Sequence, residues 1–400
     1  MKAELMKSKL GMFIHWGVYS IVAKHEQIER LFSHEDYEKL YLRFDPKSYD
    51  PDKWVALAKR AGMKYICFTA KHHDGFCMWD TKHSDYKITN TPYGRDTLRM
   101  LADACEREGM LLSIYYSCPD WHYEYGYNPA SSASHQEKAK NKQNPDTEKL
   151  RAYVKAQIEE LMSNYGRIYT LFWDIPPKIV DRSINELVRQ LQPGIIINDR
   201  GFDEGDFSTP ERDFNNMPNG RYENATEACN SVGEYAWGYN KEENFYSVNV
   251  LRSSIMQTMA RGGSYLLNVG PNELGEITPE YEKRILAVGD WYNRMEGVLE
   301  DSEGDENIYD LASGGAWYNK YVVTKKNGKS YFHFYNGLIS NHIFFKTFPS
   351  MPKSARLLNS DTPLPFTVRN MHIKQDDGLD IYNIPIDELG GEPVCIEIEW

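Results

Sequence analysis

The chain has 400 residues, 41% hydrophobic and 26% charged, a balance that supplies a large buried core and excludes a disordered chain. That length suits a barrel of roughly 250–300 residues plus a smaller partner. A net charge of −12 excludes nucleic acid as a partner, because phosphate binding needs a basic footprint.

The opening MKAELMKSKL has no apolar stretch or small-residue cleavage site of a secretory signal. No later run reaches the roughly 18–20 apolar residues of a membrane span, so no membrane partner is expected. The compartment reads as cytoplasmic if this is the full chain, and as periplasmic or secreted if a leader was removed. From residue 11 onward, short apolar runs alternate with helical patterns. GMFIHWGV (11–18) reads as a strand, and 51–62 as a helix with Trp54, Leu57, Ala58 and Ala61 on one face and Gly62 as its stop. YICFTA (65–70) is a strand, 96–108 a helix, LLSIYYS (111–117) a strand and 145–165 a helix. IYTLFWD (168–174), a helix over 183–191 and GIIIN (194–198) continue the series. The stretch from Arg200 to Asn244 is irregular and places no strand. A helix over 247–260, the strand SYLLNVG (264–270) and a helix over 278–295 follow.

This alternation predicts parallel β-α units. No Gly-rich dinucleotide turn follows the first strand, so a (β/α)8-type barrel is preferred to a doubly wound sheet. Past about residue 300 the segments AWYNKYVVTKK, SYFHFYNG, SARLLN and PVCIEIEW are short, β-branched or aromatic, and split by turn residues. They predict a C-terminal all-β sandwich over 301–400, with the barrel over 1–300. The six cysteines (Cys67, Cys77, Cys105, Cys118, Cys229, Cys395) form no C-x-x-C pair and read as reduced, buried thiols. The N-x-T sequon at Asn224 carries little weight. The 28 Tyr, 16 Phe and 9 Trp fit either a large core or sugar-binding faces.

Polar residues gather where strands end, which in a barrel is the face that carries chemistry. Asp174 closes an apolar strand, as a buried carboxylate nucleophile would or as a capping Asp would. Glu211, in GDFSTPER, reads alone as a solvated loop carboxylate, but glycosidic cleavage needs a second carboxyl group beside the first. Glu26, Glu223, Glu227 and Glu234 are its rivals. His72 and His73 follow the second strand and His15 the first. No zinc spacing links them, so sugar-hydroxyl binding is preferred to metal ligation. Arg200 could hold substrate or pair with an acid, and Tyr115, Tyr116 and Phe172 could equally be core.

Together KLGMFIHWGVYS, YICFTAKHHDGFCMWDT, GRDTLRMLADACEREGMLLSIYYSCPDW, LFWD, INDR, DFSTPE, WGYN and GGSYLLNVGP resemble glycoside hydrolase family 29, the α-L-fucosidases. The resemblance spans residues 9 to about 271. It implies a retaining exo-glycosidase acting on fucosylated oligosaccharides or glycoconjugates through a covalent glycosyl-enzyme, with no metal or other cofactor. It leaves homo-oligomerisation open. It implies Asp174 as nucleophile and Glu211 as acid/base, with His15, Glu26, His72, His73, Tyr115, Phe172 and Arg200 holding the sugar. Two departures stand out. Glu26-Gln27 replaces a Glu-Trp pair, and Phe172-Trp173-Asp174-Ile175-Pro176 replaces W-F-D-G. They keep two alternatives in view: a related α-L-glycosidase such as an α-L-galactosidase, and a non-catalytic carbohydrate-binding protein on the same scaffold.

Overall fold

A computed structural model describes residues 9–212, 221–295, 297–301, 303–305, 310–311, 320–371 and 376–400. Seven strands form one curled parallel sheet: β1 (Leu10–Ile14), β2 (Tyr65–Lys71), β3 (Leu111–Ser117), β4 (Ile168–Asp174), β5 (Ile196–Ile197), β6 (Glu227–Ser231) and β7 (Ser264–Val269). Their order is β5-β4-β3-β2-β1-β7-β6. β1, β2, β6 and β7 are buried at every residue, as expected of strands covered on both faces.

Between β5 and β6 runs the segment Phe207–Glu211. It makes parallel bridges to Asn198 on one side and to Thr226 and Cys229 on the other. Asp199 N donates to Phe207 O (2.9 Å), and Cys229 N donates to Pro210 O (3.0 Å). This segment takes the eighth stave's place and closes the barrel. The sequence gives no sign of it, because a polar stretch with Pro210 has no strand periodicity and pairs through backbone alone.

The helices start on side-chain caps: Asp50 for α1 (Pro51–Arg60), Asp96 for α2 (Thr97–Glu108), Asp146 for α3 (Thr147–Asn164), Asp181 for α4 (Arg182–Leu191) and Ser247 for α5 (Val248–Ala260). A sixth, α6, spans Pro279–Arg294. Inside the barrel, Phe13, Tyr65, Tyr115, Tyr169, Phe172, Phe207 and Leu266 pack in one cluster. Tyr116 and Trp173 point outward, where the Tyr116 hydroxyl donates to Gln157 (2.7 Å) and Trp173 Nε1 to Asn185 (3.0 Å).

The chain divides into two compact units. One comprises the described residues of 1–212, 224–246 and 266–286. The other comprises those of 213–223, 247–265 and 287–400. The second unit carries β8 (Tyr321–Lys326), β9 (Lys329–Phe334), β10 (Ile343–Thr347), β11 (Ser354–Leu357), β12 (Phe366–Met371), β13 (Asp376–Ile381) and β14 (Val394–Glu399). One antiparallel sheet holds β11-β14-β9-β8, and a second holds β12-β13-β10. Phe332, Phe334, Leu357, Ile396 and Ile398 of the first sheet share a core with Ile343, Phe345, Leu379 and Ile381 of the second, which makes the expected sandwich. Residues 316–319 of the AWYNKYVVTKK segment lie outside the described residues.

Candidate active site

A cavity of about 260 Å³ opens at the C-terminal ends of the barrel strands. It is lined by His15, Glu26, Gln27, His72, His73, Tyr115, Phe172, Asp174, Arg200 and Glu211, so every sequence-predicted site residue reaches it. Such a volume lies below the roughly 300–1,000 Å³ of drug-sized ligand sites and fits one sugar ring better than a chain of them. A larger cavity of about 1110 Å³, along α1 and residues 275–282, holds none of these residues. Chemistry, rather than volume, marks the site.

Asp174 ends β4 and is paired in register with Ser117 of β3. Its Oδ2 accepts from the Tyr115 hydroxyl (2.7 Å) and its Oδ1 from Arg200 Nη1 (2.9 Å). Burial disfavours the charged carboxyl. The Arg200 guanidinium, first among the opposing groups, and the Tyr115 hydrogen bond outweigh that burial and hold Asp174 below the ordinary carboxylate value. The side chain keeps 13% exposure. Ile175, directly after it, also lines the cavity and has φ 56°, a left-handed backbone that is rare and strained for a β-branched residue.

Arg200 Nη1 also donates to Glu211 Oε2 (3.0 Å), and its Nη2 donates to Thr209 O (2.6 Å). The guanidinium lies 5.7 Å from the Phe172 ring. Sharing one nitrogen puts these oxygens of Asp174 and Glu211 within about 6 Å of each other, beside the roughly 5–5.5 Å of retaining carboxyl pairs. Asn198 holds this corner by accepting from Trp173 N (2.9 Å) and donating to Trp173 O (2.8 Å). Gly201 is required next to Arg200, since a Cβ there would meet the Trp173 ring at 2.2 Å.

The three histidines are held neutral. Burial pushes His15 down to about 4 and His73 down to about 3. His72 is driven well below its ordinary value by burial and by the neighbouring His73 and His15. His72 and His73 are consecutive, yet both rings reach the cavity, with centroids 4.1 Å apart. The register of β2 against β3 shifts between Thr69 and Lys71, and the strand stops before them, so strict alternation no longer applies.

Neighbouring groups fix two of the tautomers. Asn268 Nδ2 donates to Ser231 Oγ and Trp237 O, so its Oδ1 faces His15 Nδ1 (2.7 Å) and accepts from it. Ser117 Oγ donates to Pro119 O and therefore accepts from His73 Nδ1 (2.6 Å). Each ring is left with a free Nε2 lone pair, suited to a hydroxyl donor. The buried Nδ1 of His72 has no partner among the described residues.

Among the acid-role rivals, Glu26 lies in the cavity wall with its Oε2 accepting from Trp237 N (2.9 Å) and Gly238 N (3.1 Å). Glu227 is buried in the barrel interior on the Tyr65 hydroxyl (2.5 Å), and Glu223 and Glu234 are exposed. Residue reasoning missed Trp237, which lines the cavity and stacks on His15 at 5.2 Å, and His135. Trp237 lies in WGYN, a segment whose Trp-Gly punctuation could have flagged it. His135 lies in a short 3-10 turn, Ala133–Gln136, within a polar stretch that has no pattern.

A model of the α-L-fucosidase family matches residues 2–296. Tissue α-L-fucosidase of Rattus norvegicus is 28% identical over 71% of this chain and 66% of its own, so the chain spans about two thirds of that relative. The Homo sapiens tissue enzyme is 27% identical over 80% of this chain and 76% of its own. Among solved structures, α-L-fucosidase isoenzyme 1 from Paenibacillus thiaminolyticus has a TM-score of 0.85 and 30% identity over 100% of this chain and 99% of its own. The α-L-fucosidase of Vibrio sp. strain EJY3 has a TM-score of 0.84 at 24% identity, covering 98% of this chain and 72% of its own. A barrel with a β-sandwich unit, the ordered motifs along it and the family match over most of its length together place the chain in glycoside hydrolase family 29, the α-L-fucosidases.

Proposed function

We propose that the protein is a retaining exo-α-L-fucosidase in which Asp174 is the nucleophile and Glu211 the acid/base. The observation that supports this reading is the shared Arg200 nitrogen, which holds one oxygen of each carboxyl group within about 6 Å of the other, a range that includes the roughly 5–5.5 Å of retaining pairs. In the first step an Asp174 oxygen bonds to the anomeric carbon while the glycosidic bond breaks and Glu211 gives its proton to the departing oxygen. In the second, Glu211 takes a proton from water, whose oxygen attacks the same carbon and displaces Asp174. The sugar leaves with its anomeric configuration kept.

His15, His72, His73 and Tyr115 would fix the hydroxyls as neutral partners, with Glu26 holding the wall and Phe172 lying under the sugar. Arg200 would act mainly on the two carboxylates. Fucose as the sugar rests on the named activity of the relatives, and terminal cleavage on the small cavity. Incubation with a 2-deoxy-2-fluoro-fucosyl fluoride followed by peptide mass spectrometry tests this reading. One fluorofucosyl adduct on Asp174 is expected. An adduct on another carboxylate would reassign the nucleophile.

A further inference from the structure

If the preceding reading of Glu211 is right, the leaving group must emerge on that residue's side of the cavity, because the acid has to reach the glycosidic oxygen. The residue following Glu211 ties that side to the loop after β6. Arg212, with φ 49°, donates through Nη1 to Glu234 O (2.5 Å) and Gly233 O (3.3 Å), and through Nη2 to Tyr235 O (3.5 Å). Its guanidinium also lies 4.6 Å over the Trp237 ring, itself part of the cavity wall.

The backbone of this loop is pinned from the other side as well. Tyr235 N and Ala236 N donate to Glu243 (2.7 and 3.1 Å). Yet the Tyr235 side chain stands in solvent at 67% exposure. A large exposed aromatic on a backbone tied to the residue after the acid, two residues from the cavity-wall Trp237, is arranged to meet a flat apolar face. The C–H face of a sugar ring is such a surface. The order of a glycan places that ring directly beyond the scissile bond.

We infer that Tyr235 is a specificity-determining residue: the stacking platform for the leaving-group sugar, held in place by Arg212. The inference rests on the proposed acid role of Glu211. It predicts preference for fucosylated oligosaccharides over substrates whose leaving group has no ring.

The test compares Tyr235→Ala and Tyr235→Phe with wild type on a fucosylated oligosaccharide and on fucosyl fluoride, whose leaving group is a single atom. For Tyr235→Ala, kcat/KM on the oligosaccharide should fall roughly tenfold, mostly through KM, while fucosyl fluoride hydrolysis stays within about twofold. Tyr235→Phe should keep the oligosaccharide rate, because the ring rather than the hydroxyl does the work. Unchanged oligosaccharide kinetics in Tyr235→Ala, or equal losses on both substrates, would overturn the platform. Wild-type protein inert toward fucosyl fluoride would instead remove the fucosidase reading beneath it.

Discussion

Arg200 is the residue on which the site turns, since one of its nitrogens serves both carboxylates. Arg200 is the strongest of the groups that oppose the burial of Asp174. Substituting Arg200→Gln leaves the burial and removes that charge, so the carboxyl's affinity for its proton must rise. Activity that depends on ionised Asp174 is lost as pH falls through that value. The acidic limb of the kcat/KM profile on an aryl fucoside should therefore move to higher pH, with kcat/KM itself falling roughly 10- to 100-fold. An acidic limb that stays in place would show that Arg200 does not set the charge of Asp174. At this scale the sequence was readable where a residue ends a strand, as Asp174 does, or directly follows one, as His15 does. It marked Trp237 only through the WGYN motif and was silent on His135, because their places in the wall depend on how distant loops fold back.

Two elements depart from ideal strands, and each places chemistry. The end of β2 slips its register, which turns both His72 and His73 toward the cavity. The Phe207–Glu211 stave carries Glu211 to the mouth on backbone bonds alone, so a loop carboxylate in the sequence becomes part of the barrel wall. Neither feature leaves a periodic trace, because both arise from pairing between segments far apart in the chain. The following strand, β6, carries a cost. Glu227 is fully buried, with one carboxyl oxygen on Tyr65 and the other without a partner among the described residues, and burial raises it to about 7.

A carboxyl group raised in the fold binds more protons folded than unfolded between its unfolded value and about 7. Its contribution to stability is therefore full below the unfolded value, declines as pH rises through this window, and is gone above it. The loss is on the order of 3 kcal/mol. Glu227→Gln keeps the shape and the Tyr65 contact without the charge. Its melting temperature at pH 8 should exceed wild type by several degrees, with the difference shrinking toward pH 4.5. A variant less stable than wild type at pH 8 would show that Glu227 is charged and compensated there.

At the scale of the whole molecule, alternating strands and helices announced the barrel, and the turn-split β-branched segments announced the sandwich. The order of the motifs identified the family, which the family match then established. The meeting of Asp174 with Glu211, 37 positions apart in the sequence, could not be read from spacing. It depends on closure of the barrel, which brings the end of β4 beside an irregular stave. Azide rescue reads this arrangement directly, because the two carboxylates should face opposite sides of the sugar ring. Asp174→Gly should lose roughly a thousandfold or more in kcat on an aryl α-fucoside and recover with azide as β-fucosyl azide. Glu211→Ala with the same substrate should yield α-fucosyl azide. The same anomer from both variants, or near-normal turnover in Asp174→Gly without azide, would contradict the account.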